Sequence, residues 1–74
     1  MIVIKAFKNK KGEINYRRIG QNGETLSYTG QGFRSRAGLI KNLRAHYGGN
    51  VSVRIQWLKS AKTKTIVKEE TIVT

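Results

Sequence analysis

The sequence predicts a single α+β domain over residues 1–74 in the order β-β-β-α-β-β, a three-stranded antiparallel meander with one helix packed on the sheet and then a C-terminal β-hairpin. Three observations predict it. Residues 2–29 fall into three β-prone runs separated by Gly/Asn turn signals. Residues 36–47 carry apolar side chains at three- and four-residue steps. Residues 51–57 alternate strictly between apolar and polar, as a half-buried strand does.

The first strand runs from Ile2 to Lys8, rich in β-branched and aromatic residues. Asn9-Lys10-Lys11-Gly12 supplies turn chemistry, and the chain returns from Glu13 to Ile19. Strand alternation sets Ile14, Tyr16 and Arg18 on one side and Asn15, Arg17 and Ile19 on the other. Asn22-Gly23 suits the positive φ angles of a tight hairpin, so Glu24 to Thr29 forms a third strand. Gly30-Gln31-Gly32 breaks the pattern, and Ser35 is placed to cap a helix from Arg36 to Tyr47. Leu39, Ile40, Leu43 and Tyr47 form its apolar stripe, and Gly48-Gly49 ends it. Gly38 inside the helix costs about 1 kcal/mol against alanine, which close packing on the sheet would justify. Val51, Val53, Ile55 and Trp57 face the core from a fourth strand. A loop at 59–62 leads to a fifth strand at 63–68, with a β-prone tail from Glu69 to Thr74 that either extends that strand or frays.

Composition narrows the function. A chain of 74 residues buries about 60% of its unfolded surface, which leaves little room for an internal ligand cavity. Without cysteine there is no disulfide framework and no thiolate metal site. No apolar run approaches the ~20 residues that cross a bilayer, and Met1-Ile2-Val3-Ile4-Lys5 lacks the pattern of a signal peptide, so cytoplasm is the expected compartment. With no aspartate and one histidine, His46 in the last helical turn, the chain has no nucleophile–base–orienter set and no metal-ligand cluster. Glu69 and Glu70 are adjacent in a strand-like stretch and point to opposite faces. The glycines between Gly20 and Gly32 lack the Gly-Lys-Ser/Thr of a phosphate-binding loop. We therefore expect a binding protein that is not an enzyme, with no cofactor and no metal.

Charge points to the partner. Fifteen Lys and Arg stand against four Glu, a net +11. Such self-repulsion destabilises a compact fold and suits a polyanion. The cations fall in patches: Lys8, Lys10 and Lys11 at the first hairpin, Arg17 and Arg18 in the second strand, Arg34, Lys41 and Arg44 by the helix, and Lys59, Lys62 and Lys64 at the second hairpin. From these, Lys10, Lys11, Arg17, Arg18, Arg34, Arg36, Lys41 and Arg44 are the expected nucleic-acid contacts. They would position a DNA or RNA backbone with low sequence specificity, and only Arg17 or Arg18 would reach base edges. Tyr16 and Tyr28, on neighbouring strands beside those arginines, are the candidates for base stacking.

From Lys8 to Val53 the chain resembles one repeat of the YegP-like family of small bacterial domains. The resemblance rests on Lys11-Gly12-Glu13, Tyr16-Arg17, Asn22-Gly23-Glu24, Gly32-Phe33 with Ser35 opening a helix, and Val51-Ser52-Val53. It implies a ββα-type unit, often doubled in one chain, so a single unit suggests a homodimer. It implies no activity. The longer helix and the hairpin beginning at Val51 depart from the family pattern. A looser likeness in shape is to the sheet-plus-helix domains of phage integrases, which lay a sheet in the major groove. Two other classes of function fit the same composition. One is a small phage or mobile-element type interaction or inhibitor protein docking on an acidic protein, its cations raising the on-rate. The other is a homodimer that pairs exposed strand edges.

Overall fold

The structure, a computed structural model, describes residues 1–28 and 32–74, with residues 27 and 28 described by backbone alone. It is an α+β fold of five strands and one helix: β1 (Ile2–Lys8), β2 (Ile14–Ile19), β3 (Thr25–Tyr28), α1 (Arg36–Tyr47), β4 (Ser52–Leu58) and β5 (Ile66–Val73). Thr29, Gly30 and Gln31, read from sequence as a strand end and a break, lie outside the described residues, as does the Tyr28 ring.

The strands form one mixed sheet in the order β3-β2-β1-β4-β5. β1–β2, β2–β3 and β4–β5 pair antiparallel, each pair joined by a direct reversal of the chain. The expected C-terminal hairpin forms between β4 and β5, but the sheet is mixed and continuous, because β4 also joins the meander by pairing parallel to β1, Ile4 opposite Ile55. The reason is apolar content. β1 carries Ile4 and Ala6 at 0% exposure, and a strand this buried needs a neighbour on both edges. Parallel neighbours need a long crossover, which α1 provides.

α1 lies on one face of the sheet. Leu39, Ile40 and Leu43 pack against Ile4, Ala6, Ile14, Tyr16, Val53 and Ile55, with Phe33, Tyr47, Trp57 and Ile72 at the margin. The Ser35 hydroxyl accepts the Gly38 N–H at 3.3 Å and so caps the helix. Gly38 itself is not demanded by packing, since a Cβ there would meet its neighbours no closer than 3.7 Å. At the other end Gly49 and Asn50 take positive φ, at 100° and 63°.

β5 is also corrected. It begins at Ile66 and not at residue 63, so the β4–β5 loop is longer than expected, while the tail extends the strand to Val73, one of the two outcomes open to it. β4 needs a partner along its whole length, and Ser52 sits opposite Val73. Thr74 closes the sheet, its N–H donating to the Val51 carbonyl at 2.9 Å.

Away from the helix, Phe7, Asn15 and Leu58 are buried on the other face. The β4–β5 loop folds over them. Arg17 donates from Nη2 to the Ala61 carbonyl at 3.3 Å, and its guanidinium sits 4.8 Å from the centre of the Phe7 ring.

Candidate nucleic-acid interface

Topology decides where the cations gather. β1, β3 and β4 run in one direction, so all three finish at the same end of the sheet. The β1–β2 turn, the β4–β5 loop and the entry to α1 therefore share that end. The entry is tied down by Phe33, whose backbone exchanges two hydrogen bonds with Ile14, at 2.7 and 2.9 Å. Gly32 lies against Glu13, and a Cβ there would fall 2.6 Å from the Glu13 side chain.

Lys8, Lys10, Lys11, Arg34, Lys59, Lys62 and Lys64 sit at this end, all exposed, with Glu13 the one acid in the same segments. More than half of the net +11 is thus displayed at one pole. Among the described residues, none of the seven takes part in a salt bridge.

Both loops that carry the lysines are locally built. The Asn9 side-chain oxygen accepts the N–H of Lys11 at 2.9 Å and of Glu13 at 3.0 Å, while Gly12 turns the chain at φ 78°. Asn9 also donates from Nδ2 to Oδ1 of Asn15 at 2.7 Å, which anchors the turn to the sheet. In the second loop the Thr63 hydroxyl accepts the Ser60 N–H at 3.2 Å, and Lys59 N–H reaches the Thr65 carbonyl at 3.0 Å. Between the loops is a shallow groove of about 300 Å³, lined by Lys8, Asn9, Lys10, Ser60, Ala61 and Lys62. Three ammonium groups bordering one groove repel each other, and an anion seated there would relieve that repulsion.

The eight cations expected from sequence do not form one surface. Lys10, Lys11 and Arg34 belong to the lysine-rich pole. Arg36, Lys41 and Arg44 line a second groove, of about 390 Å³, between α1 and β5. Arg18 points to the helix side, its guanidinium 5.5 Å from the centre of the Tyr47 ring, whereas Arg17 is on the opposite face under the loop. Neither projects freely toward a base edge. Tyr16 is 6% exposed, with its hydroxyl donating to Oδ1 of Asn42 at 3.4 Å, so its ring has no face open to a base. Burial, with a smaller contribution from Tyr47, raises the Tyr16 phenol above its ordinary pKa. Lys8, Lys59, Lys62 and Lys64 were visible in sequence as patches. Only the parallel β1–β4 pairing joins Lys59, Lys62 and Lys64 to Lys8, Lys10 and Lys11.

Acid is placed as unevenly as base. Glu69 pairs with Arg54 at 3.3 Å on the open face. Glu70, on the helix side, takes a bidentate ion pair from Arg36 and a hydrogen bond from Nε1 of Trp57 at 2.7 Å. The Arg36 hydrogen bonds, opposed by partial burial and aided by Trp57, lower the Glu70 carboxyl to about 2. β5 thus neutralises cations near it and leaves the pole uncompensated.

Among the described residues no helix is long and apolar enough to cross a membrane, and no three His, Cys, Asp or Glu side chains gather as a metal site. Comparison with protein families, with curated proteins and with solved structures finds no match to this chain.

Proposed function

We propose that this protein binds DNA or RNA through phosphates at its lysine-rich pole, with low sequence specificity and without catalysis. The observation that carries the reading is the convergence of seven exposed cations from three chain segments on one end of the sheet. Folding brings these charges together against their mutual repulsion, and a phosphate backbone relieves that cost by releasing counterions. Six of the seven are lysines, compact point charges without the planar fork that reads guanine. Low specificity follows from that chemistry. Lys10, Lys11 and Arg34 carry over from the sequence as contacts, and Lys8, Lys59, Lys62 and Lys64 join them. Arg36, Lys41 and Arg44, also expected from the sequence, line the separate groove between α1 and β5 and are left out of the proposed phosphate contacts.

The test is a titration of fluorescent single- and double-stranded DNA and RNA at 50 and 200 mM salt. Six or seven phosphate contacts predict an affinity that falls on the order of a thousandfold between those salts. No binding at 50 mM salt would overturn the proposal, because a +11 chain has every electrostatic advantage there.

A further inference from the structure

The free edge of β5 and the groove beside it carry an inference independent of the lysine-rich pole. β5 is the longest strand, at eight residues, and it lies at the edge of the sheet. Thr74 turns its backbone toward β4, with its N–H on the Val51 carbonyl at 2.9 Å and its C=O on the Asn50 N–H at 3.2 Å. The register is unbroken from Ser52 opposite Val73 to Trp57 opposite Lys68. Backbone groups alternate along an antiparallel strand, so Ile72 and Glu70 also face β4, while Val73, Thr71 and Glu69 turn their N–H and C=O outward. That row is a template for one more strand. The register shift after Trp57 ends it, which confines the template to residues 68–74.

Alongside this edge runs the 390 Å³ groove between α1 and β5. Ala37, Ile40 and Ile72 give it an apolar floor, and Arg36, Lys41 and Arg44 give it a basic rim. Arg36 is already held by Glu70, whereas Lys41 and Arg44 are exposed and in no salt bridge among the described residues. A helix beside an open strand edge is an arrangement that captures extended peptides. Main-chain bonds supply affinity and the groove reads alternate side chains. The edge alone would equally suit a second copy of the chain, but that copy brings a further +11. Like charge opposes that pairing, and the rim is complementary to carboxylates.

We propose that β5 accepts an extended acidic peptide as a sixth strand. One aliphatic side chain sits against Ile40 and Ile72, and carboxylates two residues away, on the same side of the added strand, meet Lys41 and Arg44.

The probe is a fluorescein-labelled peptide of the pattern Thr-Glu-Thr-Leu-Thr-Glu-Thr, compared with the same peptide carrying Lys in place of Glu. Binding is followed by anisotropy, and hydrogen exchange reports the amides of Thr71 and Val73. The acidic peptide is expected to bind saturably, at least tenfold more tightly than the basic one, and to slow exchange at Thr71 and Val73. Lys41→Glu with Arg44→Glu, both at exposed positions, should weaken it roughly tenfold without loss of helix signal. Equal binding of the two peptides, or protection elsewhere than on β5, would overturn the site. So would a dimer in the ultracentrifuge that the peptide does not displace, or an oligonucleotide that protects Thr71 in its place. Because Lys41 and Arg44 lie outside the lysine-rich pole, failure here leaves the nucleic-acid reading intact, and the converse holds.

Discussion

The two ends of the sheet have the same structural task and opposite chemistry. Each reverses the chain and each uses glycine at positive φ to do so, Gly12 at 78° at one end, Gly23 at 83° and Gly49 at 100° at the other. The second end turns through Gly20-Gln21-Asn22-Gly23 and Gly48-Gly49-Asn50, with Glu24 beside them and no Lys or Arg in either segment. The first end turns through segments that hold seven cations and one acid. Chain reversal therefore does not require the lysines. The lysines are surplus to what the fold needs, and that surplus of one sign in one place is the ground for the proposed polyanion site.

The comparison breaks most directly at the lysines themselves. Replacing Lys10, Lys11, Lys62 and Lys64 by Gln should cost on the order of a hundredfold or more in oligonucleotide affinity at 50 mM salt. The thermal midpoint should hold or rise, because these side chains are exposed and repel one another. A fall in stability with unchanged affinity would mean that the pole is structural.

Acid sharpens the contrast in another way. The Glu70 carboxyl lies near 2 in the folded chain against an ordinary value near 4.3. A lowered folded-state pKa contributes stability that is complete above the unfolded value and is lost as pH falls from about 5 toward 2. Lysine charge is constant over that range. Denaturant titrations across it should show stability falling for the wild type and a flatter profile for Glu70→Gln, which is less stable at neutral pH. Identical slopes for the two proteins would contradict the assigned role of the Arg36–Glu70–Trp57 cluster.

The turn glycines give a matched pair. A Cβ at Gly12 or at Gly23 would meet nothing within 4 Å, so the backbone alone opposes it. Alanine at either site should cost about 1–2 kcal/mol in urea unfolding, equally at the two ends. A much larger cost at Gly12 would show that the lysine-bearing turn is under strain that its mate is not. The smallest effect is the reverse in sign. Gly38→Ala should stabilise by roughly 0.5–1 kcal/mol, because the helix position is open and alanine restricts the unfolded chain.

Much of the fold was legible because it is written locally. Asn22-Gly23 specifies its hairpin, Ser35 its cap, and the Leu39-Ile40-Leu43 stripe the covered face of α1. The partnership of β1 with β4 was not legible, because a parallel pair has no turn of its own and the sequence marks it only by strands apolar enough to be central. That one pairing also hid the site. Two lysine patches some fifty residues apart in sequence became one pole only when their strands were set side by side. Arg17 and Arg18 were half legible. Strand alternation already set them on different faces, but their contacts with Phe7 and Tyr47 and the bond from Arg17 to the Ala61 carbonyl depend on long-range packing that the sequence does not mark.

The central claim is that position, beyond net charge, makes the binding site. Its most direct test is the slope of log affinity against log salt for three proteins on one DNA duplex. They are the wild type, the pole variant with Lys10, Lys11, Lys62 and Lys64 changed to Gln, and an equally neutralised variant with Lys5, Lys41, Arg44 and Lys68 changed to Gln. Loss of four phosphate contacts should flatten the slope by about 3–4 in the pole variant, with a much smaller change in the other. Equal flattening in both variants would mean that charge alone attracts the duplex and that the pole is not its site.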